Sequence, residues 1–406
     1  MKQRSIPHPS TQLRKEAAMS DRNEGLARAR EIYANRSQRA RELKAEGKKI
    51  IGYPCVYVPL EMLTALDLVP YRTCGDMKEP VTEADRALPG SFCPVMRTCL
   101  DCALKDKNDF LDGMVTIHSC DPQEKTARVW ESYTDYPYFH FIDMPSTVRP
   151  EALAYFTSQL QDFRKTLEAF AGRKLSTDRL EPAIDSHNRQ RTLMRDLYEL
   201  TKPSAPRITG TEIVSAVQAV MSLPVLEGND LLTEIISEVK NRTDGPEKKS
   251  ARLLIWSSTL DDTELMQVLE ARANVVMDEG CGGIRAYRGS VKATADPLEG
   301  LADYYLNEIT CARTFRQAAQ GETTKDYSRD LQSRFGYLEG IIKEWKIDGA
   351  VMLLVRYCDP FAFEMPSLKD YFQSLGLPST YIEYDYTAGA LAPLRTRIEA
   401  FIETIS

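Results

Sequence analysis

Histidine is scarce in this chain: His8, His118, His140 and His187 are the only four in 406 residues. They lie too far apart in sequence to suggest an imidazole-rich metal site. Long apolar runs are missing too. None approaches the roughly 20 residues a membrane-spanning helix needs, so no membrane role is expected. Positive charge is in deficit, with 52 Lys and Arg against 59 Asp and Glu and a net charge of −7, which argues against a nucleic-acid partner. There is no G-x-x-x-x-G-K-[ST] loop to cradle nucleotide phosphates. The glycine-rich EGCGGIRAYRG, residues 279–289, is not G-x-G-x-x-G and opens no clear helix. The start, MKQRSIPHPSTQLRKEAAM, is basic but has no apolar core, so it does not read as a secretory signal. It reads as a ragged extension, leaving Met1 and Met19 as alternative starts and the cytoplasm as the expected compartment.

What the chain does have is nine cysteines. Without an export signal they are not expected to form a disulfide framework. They are metal ligands, catalytic thiols or small core residues, and position has to decide among these.

Strand and helix signals alternate over residues 48–148. KKIIGYPC (48–55), LVPYRTC (68–74), LDGMVTIHSC (111–120) and YPYFHFIDMP (136–145) read as strands, with helical patterns between them. Such alternation indicates a parallel sheet covered by helices on both faces. Residues 1–47 form an extension and one charged lead-in helix, and residues 149–250 carry helical periodicity only. Residues 251–406 repeat the α/β pattern through ARLLIWSST (251–259), NVVMDEGC (274–281), IDGAVMLLVRYC (347–358) and STYIEYDY (379–386). The two α/β units share their order, which makes an internal duplication plausible.

Ligands of open parallel sheets bind outside the carboxyl ends of the strands. Cys55, Cys74, Cys120, Cys281 and Cys358 all fall at or just past such an end. Cys93 opens a helix, where the dipole favours a thiolate, and Cys311 follows another helix. IDGAVMLLVRYCDP (347–360) and LDGMVTIHSCDP (111–122) are echoes of each other, each ending in Cys-Asp-Pro. If the two sheets face each other at these edges, the thiols converge. A mostly sulfur ligand set with few histidines selects soft metal, chiefly iron–sulfur. Cys99 and Cys102 lie inside a helix and read as buried small residues. Their C-x₂-C has no second pair at zinc-ribbon spacing, so zinc is weakly supported. Asp121 and Asp359 read as helix caps, and His118 as a residue beside the crevice.

From about residue 48 onward the chain resembles the D-component-like subunits of the 2-hydroxyacyl-CoA dehydratase and benzoyl-CoA reductase superfamily, and within it the double-cubane cluster proteins. The resemblance rests on IIGYPCVYVPLEM, LPGSFCP, HSCDPQEK, EGCGG, YCDPFAFEMPSLKDY and YDYTAGALAPLRTRIEAFIE, in that order. It implies two flavodoxin-like, Rossmann-like α/β domains with an iron–sulfur cluster between them. It implies that Cys93, Cys120 and Cys358 hold a 4Fe–4S cluster. Cys55, Cys281 and Cys311 then match the extra thiols of an 8Fe–9S double cubane, with Cys74 in reserve. The family often carries two close cysteines where ITCARTF has one. Glu61 matches a family-like carboxylate and is the acid–base candidate, although a glutamate in a helix first turn has a structural explanation as well.

The resemblance also implies partners. These are an ATP-hydrolysing activator with its own iron–sulfur cluster, and a second subunit in a homodimer or heterodimer. The implied substrate is an acyl-CoA or a small unsaturated molecule. The implied activity is reductive dehydration or reduction driven by single low-potential electrons. A subunit that only relays electrons is the alternative, and a zinc-bearing or merely thiol-rich structural protein is a third reading.

Overall fold

The computed structural model describes residues 24–316 and 326–405. The alternative starts and most of the extension lie outside these residues.

Eight strands form two four-stranded sheets. The first contains β1 (Lys49–Tyr53), β2 (Leu68–Arg72), β3 (Gly113–Ile117) and β4 (Tyr138–Ile142). The second contains β5 (Ala251–Ser257), β6 (Ala273–Glu279), β7 (Gly349–Val355) and β8 (Ser379–Tyr384). All pairings are parallel. The spatial orders are β2-β1-β3-β4 and β6-β5-β7-β8, one topology used twice. It is the flavodoxin-like order, and the crevice at its switch point lies between the first and third strands of each sheet. The sequence explains the central strands β5 and β7 and the edge strand β6. β5, β6 and β7 are buried at all seven positions each, as continuous apolar runs covered on both faces must be.

Between the sheets lie four helices, Pro150–Ala171, Thr177–Glu199, Gly210–Val220 and Val225–Asn241. The third is closed by a capping box between Thr209 and Glu212, which satisfies two of its free N–H groups. Arg252 on β5 ties this segment to the second sheet, donating to the carbonyls of Thr201, Lys202, Pro203 and Trp345.

One expectation about helices needs correction. The lead-in helix is two helices, Gly25–Ala34 and Gln38–Ala45. The Asn35 amide folds back onto the Glu31 carbonyl at the break. Arg36 turns inward there, to Ser222 Oγ at 3.2 Å and Cys74 Sγ at 3.1 Å. A second break falls at Gly336, between the helices Tyr327–Phe335 and Tyr337–Glu344. No helix among the described residues is long and apolar enough to cross a membrane.

Candidate metal centre

All nine cysteines are free thiols. Cys93, Cys120 and Cys358 are each the N-cap of a helix whose first turn carries proline: Pro94–Leu104, Asp121–Tyr133 and Asp359–Ser374. Proline suits that turn because its missing N–H would be unbonded anyway. The chain therefore leaves β3 and β7 through Cys-Asp-Pro for one reason: the thiol must sit where a strand ends and a helix begins. At Cys358 the turn is tightened by Tyr357, whose φ of 62° lies in the left-handed region.

The three caps face one another. Burial first, then the nearby Cys93, pushes the Cys120 thiol up to about 12. Burial, Cys93 and Cys120 together push Cys358 well above the ordinary thiol value. Cys93 is raised by burial, against the first-turn N–H groups of Met96 and Val95, which favour its anion. First-turn N–H groups of Gln123 and Phe361 act the same way on Cys120 and Cys358. Three helix N-termini thus point their positive ends at one spot.

Cys55, Cys281 and Cys311 make a second group. Cys55 follows β1 and is raised by burial and by Cys281. Cys281 sits in the turn after β6, its N–H bonded to the Ser258 carbonyl at 3.1 Å. The Cys311 thiol donates to Cys281, and Arg285 and Arg72 add positive charge, so Cys281 is held below its ordinary value despite burial. Arg285 Nη1 lies 3.7 Å from Cys281 Sγ. The turn is crowded as well as charged. A Cβ on Gly280 would stand 2.8 Å from Ser257 Oγ, and one on Gly283 2.5 Å from the Asp278 carbonyl.

The two groups adjoin. Cys120 feels Cys55, and the Ser119 hydroxyl faces both. Across the site Ser258 pairs its carbonyl with Cys281 and turns its hydroxyl to Cys358. Thiols from the first α/β unit (Cys55, Cys93, Cys120) therefore meet thiols from the second (Cys281, Cys311, Cys358).

Cys74 keeps different company. It accepts from Arg36, lies 3.9 Å from Gln218 Oε1, and opens with Cys102 onto a cleft of about 750 Å³. Cys99 and Cys102 are buried in the core, at 3% and 8% exposure.

Glu61 is wholly buried, and both its oxygens are taken. Arg191 pairs with one and the Tyr305 hydroxyl donates to the other at 2.9 Å. Burial pushes the carboxyl up, but Arg191 and its neighbours outweigh it and hold Glu61 below its ordinary value. Arg191 also donates to Asn188, whose side chain both donates to and accepts from the Val291 backbone. Glu61 thus belongs to a lattice joining the turn after Cys55 to the segment after Cys281.

Two features argue that the thiols suit a polynuclear anionic group. First, their spacing is wide. Among the described residues, only His118, Asp121 and Glu124 bring three ligand atoms within 4.8 Å of one another. A single zinc at about 2.3 Å from each sulfur would draw thiolates to roughly 3.8 Å apart. Second, Arg72 is 8% exposed, its Nη1 has no acceptor, and no carboxylate pairs with it among the described residues. A guanidinium stays charged, and a buried unpaired charge costs several kcal/mol. The acidic groups it acts on are the Cys74 thiol first, then the Tyr53 phenol and the thiols of Cys281 and Cys55. Sequence reasoning passed over Arg72, Ser119 and Ser258; an arginine closing the apolar run LVPYR was the one visible signal.

A flavodoxin-like fold used twice, with thiols gathered near its strand ends, defines a class of two-unit α/β proteins. The chain belongs to the 2-hydroxyglutaryl-CoA dehydratase, D-component family, whose model matches residues 55–405. It is 24% identical to a benzoyl-CoA reductase subunit of Thauera aromatica, over 88% of this chain and 91% of that one. It is 24% identical to the (R)-phenyllactyl-CoA dehydratase beta subunit of Clostridium sporogenes, over 90% and 94%. It is 22% identical to the beta subunit of (R)-2-hydroxyglutaryl-CoA dehydratase of Acidaminococcus fermentans, over 89% and 94%. All three relatives are named as subunits of dehydratases or reductases.

Proposed function

We propose that this chain is the iron–sulfur subunit of a cytoplasmic dehydratase or reductase, using single low-potential electrons passed to it by an ATP-hydrolysing activator with its own iron–sulfur cluster. The observation that carries this is the meeting of six thiols from both α/β units. Cys93, Cys120, Cys358, Cys55, Cys281 and Cys311 are the iron ligands in this reading, and Cys74 is not one. The adjoining of the two triads favours an 8Fe–9S double cubane over a single 4Fe–4S cluster. When bound, such a group supplies low-potential one-electron transfer, with iron as a Lewis acid for a substrate oxygen.

The chain's own residues do the rest. The three helix N-termini aim dipoles at sulfur, while Ser119, near Cys55 and Cys120, gives its hydroxyl proton to Gln123. Burial of Cys55 and Cys93, at 7% and 8% exposure, limits water. Glu61 positions the walls through Arg191 and moves no proton. Acyl-CoA thioesters, named for the relatives, are the proposed substrate class, and the enzyme is completed by a second, related polypeptide.

The test is anaerobic purification with iron and sulfide analysis. About eight irons per chain supports the double cubane, and about four supports the single cluster. Cys120→Ala and Cys358→Ala should lose iron while Cys102→Ala keeps it. Equal iron in all three variants, or zinc in place of iron, refutes the proposal.

A further inference from the structure

The two thiol groups differ in the charges around them. Two buried guanidiniums act on Cys281: Arg285 directly, and Arg72, whose field falls first on Cys74 and then on Cys281 and Cys55. Arg285 is fully buried and reaches Cys281 at 3.7 Å, and Arg72 is 8% exposed with Nη1 free of any acceptor. Arg72 closes β2 opposite Tyr53 of β1, and its guanidinium lies over that ring at 5.6 Å. The acids nearby do not cancel both cations. Glu279 is shared, its side chain taking Arg285 at 3.2 Å and Arg288 at 2.5 Å. Asp278 is 2% exposed with neither oxygen bonded to a guanidinium or any other donor, and burial holds its carboxyl well above the ordinary range. Around Cys93, Cys120 and Cys358 the one buried guanidinium nearby among the described residues, Arg313, is spent on the carbonyls of His118, Ser119, Met144 and Pro145 and reaches no thiol. The charged neighbour of Cys93 is Asp359. Arg356, two residues before Cys358, is committed at the surface to Glu383 and Asp385.

We propose that Arg72, together with Arg285, makes the Cys55/Cys281/Cys311 half of the site the more electropositive one, so that an added electron rests on that half. Arg72 is then a positioning residue for charge. The same guanidinium that no carboxylate neutralises stabilises the reduced state, because a cation in a low-dielectric interior favours added negative charge nearby. The electron arrives in that half with no bond made or broken in the protein. This inference rests on the proposed iron–sulfur reading.

The test is an anaerobic potentiometric titration, followed by electron paramagnetic resonance, of the iron-loaded wild type, Arg72→Gln, Arg72→Lys and the surface control Arg356→Gln. Arg72→Gln should lower the first reduction equilibrium at least tenfold, which is about 59 mV for one electron. Arg72→Lys should recover most of the loss, and Arg356→Gln should match wild type. Arg72→Gln with full iron and an unchanged potential overturns the inference. A chain that holds no iron at all overturns the reading beneath it instead. Should Arg72→Gln fail to load iron, the wild type grown with isotopically labelled arginine nitrogen decides. Hyperfine coupling of those nitrogens to the unpaired electron supports the assignment, and its absence overturns it.

Discussion

Removing one member of the Glu61–Arg191 pair should be far more harmful than removing both. Glu61 is 0% and Arg191 6% exposed at the side chain, so neither charge can fall back on water. Arg191→Met would leave the carboxylate with the Tyr305 hydroxyl alone, and breaking a buried pair in this way costs about 3–5 kcal/mol. Some packing is lost too, since the guanidinium lies over the Tyr304 ring at 4.1 Å. Glu61→Leu would strand the arginine instead, at similar cost. The double variant Glu61→Leu/Arg191→Met removes both charges and should regain most of the loss, because a buried ion pair replaced by apolar groups of similar volume is often neutral. Urea unfolding followed by far-ultraviolet circular dichroism reads all four proteins, with the interaction taken from the double-mutant cycle. A cost below about 1 kcal/mol for Arg191→Met, or a double variant no better than either single one, would refute the positioning role. Unchanged stability in Glu61→Gln with turnover abolished would return Glu61 to proton transfer.

Two further outcomes follow from other parts of the molecule. Gly283→Ala would bring a methyl group to 2.5 Å from the Asp278 carbonyl and against its carboxylate. It should destabilise the protein by about 1–3 kcal/mol and lower its iron content, with urea midpoints and iron analysis as the checks. His187 is 5% exposed, and burial holds it near 4 against an ordinary 6.5. The unfolded chain therefore takes up a proton below 6.5 that the folded one refuses until about 4. Stability should fall across that window by up to about 3 kcal/mol, at about 1.4 kcal/mol per pH unit. Glu61, held below its ordinary 4.5, adds to the loss at the acid end. The check is the urea midpoint from pH 7 to pH 4, which His187→Gln should flatten; an equally steep profile in that variant would contradict the assignment.

All eight strands fall where the sequence placed them, most plainly β3, β5, β6 and β7, because a strand buried at every position cannot hide its composition. The thiols were legible for a related reason: each sits where a strand or loop gives way to the next element, a local event that spacing records. The company the thiols keep was not legible. Arg72 meets Cys281 across more than two hundred residues, and Glu61 finds Arg191 across 130. Nothing local to either the glutamate or the arginine announces the other. The division of the lead-in helix at Asn35 was missed because it depends on where Arg36 finds its partners, Ser222 and Cys74, and only the folded chain sets that.

The even split of the six thiols, three from each α/β unit, has a consequence for biosynthesis. When the ribosome has emitted the first sheet and the four helices, it has made only half a socket, with Cys358 still many residues from being translated. On the proposed iron–sulfur reading, iron delivered at that stage would meet an open, three-sulfur surface instead of a closed chamber. Loading would then wait until the last quarter of the polypeptide has folded back, and a product truncated before Cys358 would hold no complete cluster.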